Sequence, residues 1–189
     1  EKMMSNVEFR FFKGDMSVEP LKTIDENWQN LREVRNQKLE EIFATIPFYN
    51  GWCGSETSMY GIVCDDDSPA LNDVKSMKGY KIERHKGKNV IKPDRRYKAG
   101  KELDKKLRQC REILNEAPDF SNYSLKQLGL SCWVSYGTNL YIAVAGIANG
   151  QYIAKIPVKG EDCDLDDFPK VPDCLVEIKE SEFLALQGK

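Results

Sequence analysis

An α+β fold with a mainly antiparallel sheet and two long helices packed on one face is predicted for this chain by three observations. Two long stretches carry apolar residues at helical spacing, whereas several short stretches alternate apolar and polar residues as half-buried strands do. Short turn signals such as Lys86-Gly87 and Asn149-Gly150 join neighbouring strand patterns as hairpins. The strand-helix-strand order does not recur often enough for a doubly wound parallel sheet. With 189 residues, no internal repeat and no break in composition, one domain over 1–189 is expected.

The elements follow in order. Val7 to Phe12 alternates apolar and charged residues before Lys13-Gly14-Asp15, predicting a half-buried strand that ends in a turn. Leu21, Ile24, Trp28, Leu31, Leu39, Ile42, Phe43 and Ile46 then share one helical stripe, with Ser17 as cap, Pro20 in the first turn and Pro47 as the stop. Phe48 to Ser55, rich in Gly and aromatic residues, reads as a packed irregular loop. A strand over Met59 to Cys64, closed by Asp65 to Pro69, precedes a hairpin of Tyr80 to His85 with Lys88 to Lys92.

A second helix is predicted from about Arg95 to Leu114, with Leu103, Leu107, Cys110 and Leu114 buried and Gly100 a local weakness. A short third helix spans Ser124 to Leu128. Cys132 to Tyr136, Leu140 to Ala148 and Gln151 to Val158 then read as a three-strand meander. The acidic loop Gly160 to Asp167, a strand from Cys174 to Ile178 and a short helix from Ser181 to Leu186 complete the chain.

Composition bounds the function. Hydrophobic residues at 41% beside charged residues at 31% describe a globular chain rather than a disordered one. The longest apolar run, Leu140 to Ala148, is far below the roughly 20 residues of a membrane span, so no membrane partner is expected. Glu1 and Lys2 read as additions ahead of a start at Met3 or Met4, with no apolar stretch of a secretory signal behind them. The six cysteines show no close pair of the kind that builds zinc knuckles or redox dithiols, and reduced thiols are expected.

Charge is strongly segregated. Between Lys78 and Arg111 lie fourteen lysines and arginines against four carboxylates, leaving fourteen against twenty-six elsewhere. Lys88, Arg95, Arg96, Lys98, Lys101, Lys105, Arg108 and Arg111 are therefore the candidate partner-binding surface, with Tyr80 and Tyr97 placed to stack on bases. A solvated helix face is the competing reading, because Glu102 and Asp104 interleave with the cations. Tyr49 and Trp52 are candidate aromatic anchors for a partner, core packing being the alternative for each ring.

Catalytic patterns are weaker. No strand leads into a phosphate-binding glycine loop, and no cofactor or metal is expected. Cys53 with His85 can be written as nucleophile and base, but His85 beside Lys86-Gly87-Lys88 reads more simply as part of an exposed turn. Asp162, Asp164 and Asp166 alternate as in a calcium loop, yet Asp167 stands where that loop needs Gly. Asp65-Asp66-Asp67 reads as a strand end before it reads as a cation site.

Phe9-Arg10-Phe11-Phe12-Lys13-Gly14-Asp15, Pro93-Asp94-Arg95-Arg96-Tyr97-Lys98-Ala99-Gly100-Lys101 and Glu180-Ser181-Glu182-Phe183-Leu184-Ala185-Leu186 resemble segments of small uncharacterised accessory proteins of tailed bacteriophages and prophages. The resemblance implies expression in the cytoplasm of a bacterial host and a non-enzymatic protein that binds a host macromolecule, inhibiting a defence or nucleic-acid-processing system. A host protein is then the leading partner and nucleic acid, held by the basic hairpin and helix of 78–111, the alternative. Self-association remains open, because segregated charge also favours a second copy of the same chain.

Overall fold

The computed structural model describes residues 7–48, 57–58, 61–159 and 169–188. The fold class is α+β, and the strand pairings are antiparallel. Contacts gather in two units, Glu1–Asn30 with Pro118–Lys189, and Leu31–Ala117. Among the described residues the strands form three sheets rather than one, and the helices number five, where two long and two short ones were expected.

In the first unit, β1 (Glu8–Asp15) lies inside a four-stranded sheet between β10 (Val176–Ile178) and β9 (Gln151–Lys159), with β8 (Val144–Ala148) beyond β9. Both faces of that sheet are covered. Phe12, Tyr152, Ala154 and Ile156 enter one apolar cluster, while Phe11 and Ile153 pack with Phe183 of α5 (Glu180–Leu186) on the other side. The expected half-buried strand thus buries two adjacent phenylalanines. Lys13-Gly14-Asp15 continues the strand instead of turning. Gly14 is required there by close approach, since a Cβ would lie 2.6 Å from Leu21 Cδ1 and 2.8 Å from the Cys174 carbonyl oxygen.

The predicted strand from Leu140 to Ala148 is two strands. β7 (Asn139–Ile142) pairs with β6 (Trp133–Tyr136), whereas β8 pairs with β9. The chain changes partner at Ala143, which is buried and whose N–H donates to the Cys132 carbonyl. In α4 (Phe120–Gln127), Asp119 caps the first turn by accepting from Asn122 N at 2.8 Å. Ser121 Oγ of the same helix accepts from the Ala145 N–H at 2.8 Å, satisfying a backbone donor of β8.

Helix α1 (Leu21–Phe43) begins in the first unit and continues into the second. Ser17 is not its cap, because Ser17 N and Oγ both donate to Asp15. The Glu19 carboxylate serves the first turn instead, accepting from Thr23 N and Oγ1. Leu31, expected on the buried stripe, is 40% exposed, and Trp28 sits edge-on to Phe120 while donating to the Pro118 carbonyl.

The second unit is built on the sheet order β2 (Thr57–Ser58), β3 (Gly61–Cys64), β5 (Lys88–Pro93), β4 (Tyr80–His85). Ile62, Ile91 and Ile82 stand in register across three strands. They meet Leu39 and Phe43 of α1, Leu71 and Val74 of α2 (Pro69–Lys75), and Leu103, Leu107 and Cys110 of α3 (Lys98–Leu114). Helix α2 begins at Pro69, the last residue of the expected strand-closing stretch, and runs on through 70–75, where the sequence pattern predicted no element; Pro69 at its start and three buried apolar residues in two turns account for it.

Candidate functional site

The basic segment folds into the expected hairpin followed by a helix. Lys86 at φ 48 and Gly87 at φ 79 form the two-residue turn, and the register places Lys81 directly opposite Lys92. At the other end of the hairpin, Asp94 N donates to the Gly79 carbonyl at 2.8 Å and Tyr97 N to the Asp94 carbonyl at 3.2 Å. The chain then enters α3 three residues later than the sequence suggested, with Tyr97 at the cap position. Gly100 is no mere weakness in that helix. A Cβ there would stand 1.9 Å from the Asp94 carbonyl oxygen and 2.7 Å from that of Gly79, so only glycine lets the first turn of α3 lie on the hairpin's end.

This junction opens a cleft of about 580 Å³ lined by Lys81, Lys92, Pro93, Asp94, Arg95, Arg96, Asp104, Leu107 and Arg111. Two buried carboxylates organise it. Asp94 takes the Arg96 fork, Nε at 3.0 Å and Nη2 at 2.8 Å, together with the Arg96 backbone N–H at 3.2 Å. Asp104 accepts from Arg95 at 3.1 Å and from Arg108, one helical turn on, at 2.6 Å. The Arg96 hydrogen bond, against the opposing effect of burial, holds the Asp94 carboxyl down at about 2. Burial works against ionisation of Asp104, and the hydrogen bonds from Arg95 and Arg108 outweigh it, so its carboxyl also lies below the ordinary range.

The arginine side chains that these carboxylates hold are themselves 64 to 76% exposed. A guanidinium has five N–H donors, and Arg96 spends two on the Asp94 side chain. Asp94 therefore fixes the Arg96 guanidinium plane through two bonds and Asp104 tethers Arg95 and Arg108 by one bond each, leaving outward donors for a ligand oxygen. With Arg108 and with Glu83, which pairs with Lys92, six cations accompany three carboxylates, so the surroundings stay positive.

Of the residues singled out from sequence, Arg95, Arg96 and Arg111 line the cleft and Arg108 reaches it through Asp104. Lys98, Lys101 and Lys105 are exposed along α3, and Lys88 follows the hairpin turn. Lys81, Lys92, Asp94 and Asp104 were not among the candidate site residues; the first two needed the strand register, and Asp104 looked like an interleaved solvated charge. Tyr80 is not a stacking platform, because it is partly buried and edge-on to Phe48. Tyr97 is 40% exposed, with the Arg96 guanidinium 5.9 Å from its ring centre.

Tyr49, Trp52 and Cys53 lie outside the described residues, as do Asp162, Asp164 and Asp166. His85 ends β4 opposite Lys88 and is exposed. Asp66 accepts from Arg84 and Asn89, tying the Asp65 to Asp67 turn to the hairpin. No cluster of three or more metal-ligating side chains occurs among the described residues, and no helix there is long and apolar enough to cross a membrane. Burial pushes the Cys110 thiol up to about 11, leaving it a small apolar residue of the core.

Residues 7–189 match DUF5420, a family of unknown function. The chain belongs to that family. It is 55% identical over 185 residues to an "Uncharacterized protein" of Haemophilus influenzae (strain ATCC 51907 / DSM 11121 / KW20 / Rd), covering 98% of this chain and all of that one. No solved structure matches. Among the described residues of this DUF5420 chain, the carboxylate-braced arginines around the cleft form an arrangement that resembles a binding site.

Proposed function

We propose that this DUF5420 protein is a non-enzymatic binding protein whose working surface is the cationic cleft and the adjoining exposed face of α3, and that its partner is single-stranded nucleic acid. The observation that carries this reading is the bracing of Arg95, Arg96 and Arg108 by two buried carboxylates. A merely solvated face has no need of buried anions to orient its cations, whereas a phosphate receptor gains from preset donor geometry. Lys98, Lys101 and Lys105 extend the positive surface along one helix, as a strand backbone requires. A cleft of about 580 Å³ suits one or two nucleotide units better than a duplex.

The test is binding of a labelled single-stranded oligonucleotide across a salt series. Affinity should fall steeply, with a log-log slope of about −3 if four phosphates are neutralised. Absence of binding at low salt, or binding indifferent to salt, would sink the reading.

A bacterial host protein is the second reading, in keeping with the resemblance to phage accessory proteins, and one observation favours it. Trp133 and Ile142 face each other across β6 and β7, Leu140 shares their side, and the three are 65%, 51% and 63% exposed. Such an apolar face suits a protein partner better than a phosphate backbone. A host protein retained after nuclease treatment, and lost on Trp133→Gln, would favour this reading; the cytoplasm of the host is the compartment either partner implies.

A further inference from the structure

We infer that the cleft is a receptor for a phosphomonoester, the terminal phosphate of a nucleotide, rather than for the diesters within a strand; this rests on the nucleic-acid reading above. The first argument is convergence. The lining cations come from four different places: Lys81 from β4, Lys92 from β5, Arg95 and Arg96 from the turn after Pro93, and Arg111 from the last turn of α3. Cations that track a passing backbone are spread in a row, as Lys98, Lys101 and Lys105 are on α3. Cations from several elements lining one volume suit a compact anion with oxygens on several sides.

The second argument is a tolerated repulsion. Lys81 and Lys92 are direct cross-strand partners, and like charges placed opposite each other on a sheet destabilise it. Glu83 pairs with Lys92 and relieves part of this, but Lys81 adds its field to Asp94 as well, where Arg96 already sits. Positive charge is thus concentrated beyond what the two buried carboxylates need. A phosphomonoester carries about −1.5 to −2 charge near neutral pH and offers three terminal oxygens, where a diester carries one charge and two. The denser anion gains more from this site.

The third argument is the apolar part of the lining. Pro93 and Leu107 are its uncharged members, giving the cleft a limited apolar wall against which a sugar or base can rest. A bare inorganic anion would leave that wall unused.

The experiment compares one single-stranded oligonucleotide in three forms, with a 5′-phosphate, with a 3′-phosphate and with hydroxyls at both ends, at fixed salt. A mononucleotide and inorganic phosphate serve as competitors. One phosphorylated form should bind about tenfold more tightly than the hydroxyl form, the gain of roughly one added charge-assisted contact. That ratio should fall toward one in Lys81→Gln and, independently, in Arg95→Gln, two exposed positions whose folding is checked by thermal melting. Competition by the mononucleotide at equal strength would support the monoester and assign it to a free nucleotide. Equal binding of all three forms would overturn the inference while leaving the nucleic-acid reading intact; no binding of any form would overturn both.

Discussion

The first turn of α3 is seated against the backbone of Asp94, and Gly100 is what permits it: a Cβ at 100 would come within 1.9 Å of the Asp94 carbonyl oxygen. Helix propensity alone predicts that Gly100→Ala stabilises by roughly 1 kcal/mol. The clash is with two backbone carbonyls, which cannot swing aside as a flexible side chain can. The expected result is net destabilisation of about 1–3 kcal/mol in urea melts, together with weaker oligonucleotide binding because the cleft is assembled on this junction. A stabilised variant would show that the junction yields easily.

Asp94 gives a pH prediction whose sign is fixed by the Arg96 hydrogen bond. Its carboxyl lies at about 2 in the folded chain, below the ordinary value near 4. A depressed carboxyl contributes stability that is fully present above the unfolded value and is lost as pH falls through the folded one. The melting temperature should therefore drop between about pH 4 and pH 2, with Asp104 adding to the same trend. Asp94→Asn should melt lower than the wild type at pH 6 and show a shallower fall below pH 4. Parallel acid profiles for the two proteins would contradict the assignment.

Lys101 and Lys105 are exposed on α3 and do not line the cleft, so they separate backbone tracking from recognition inside it. Replacing both by Gln should reduce the salt slope by about 1.4, taking 0.7 per lost phosphate contact on a single strand. The melting temperature should hold within the small range usual for surface changes. An unchanged slope would mean that this face of α3 is solvated and takes no part in binding.

Local chemistry explains which parts of the fold could be read in advance. The hairpin around Lys86-Gly87 and the stripe of Leu103, Leu107 and Cys110 depend on near neighbours in sequence, and both are where the pattern put them. The change of sheet at Ala143 was hidden because Leu140 to Ala148 is apolar throughout and carries no period to mark a break. Asp104 looked like one more surface charge on a helix; that it is buried and paired with Arg95, which reaches it from outside the helix, is a tertiary fact. Likewise the meeting of Lys81 with Lys92 is a consequence of register, which a list of cations does not contain.

The Ser124 and Tyr152 side chains form a buried polar pair in the first unit, Oγ to Oη at 2.8 Å, and the two are not equally replaceable. Burial pushes the Tyr152 phenol up to about 12, which marks a site hostile to charge. Ser124→Ala leaves that hydroxyl enclosed without the serine, and a stranded buried group costs about 1–3 kcal/mol. Tyr152→Phe removes the hydroxyl itself, and Ser124 Oγ keeps its bond to the Ser121 carbonyl at 3.2 Å. Chemical denaturation should thus find Ser124→Ala clearly less stable than Tyr152→Phe, and the double variant close to Tyr152→Phe with Ser124→Ala adding little. If the serine change proved harmless on its own, the hydroxyl must find another acceptor, and the pair would not be what specifies this part of the core.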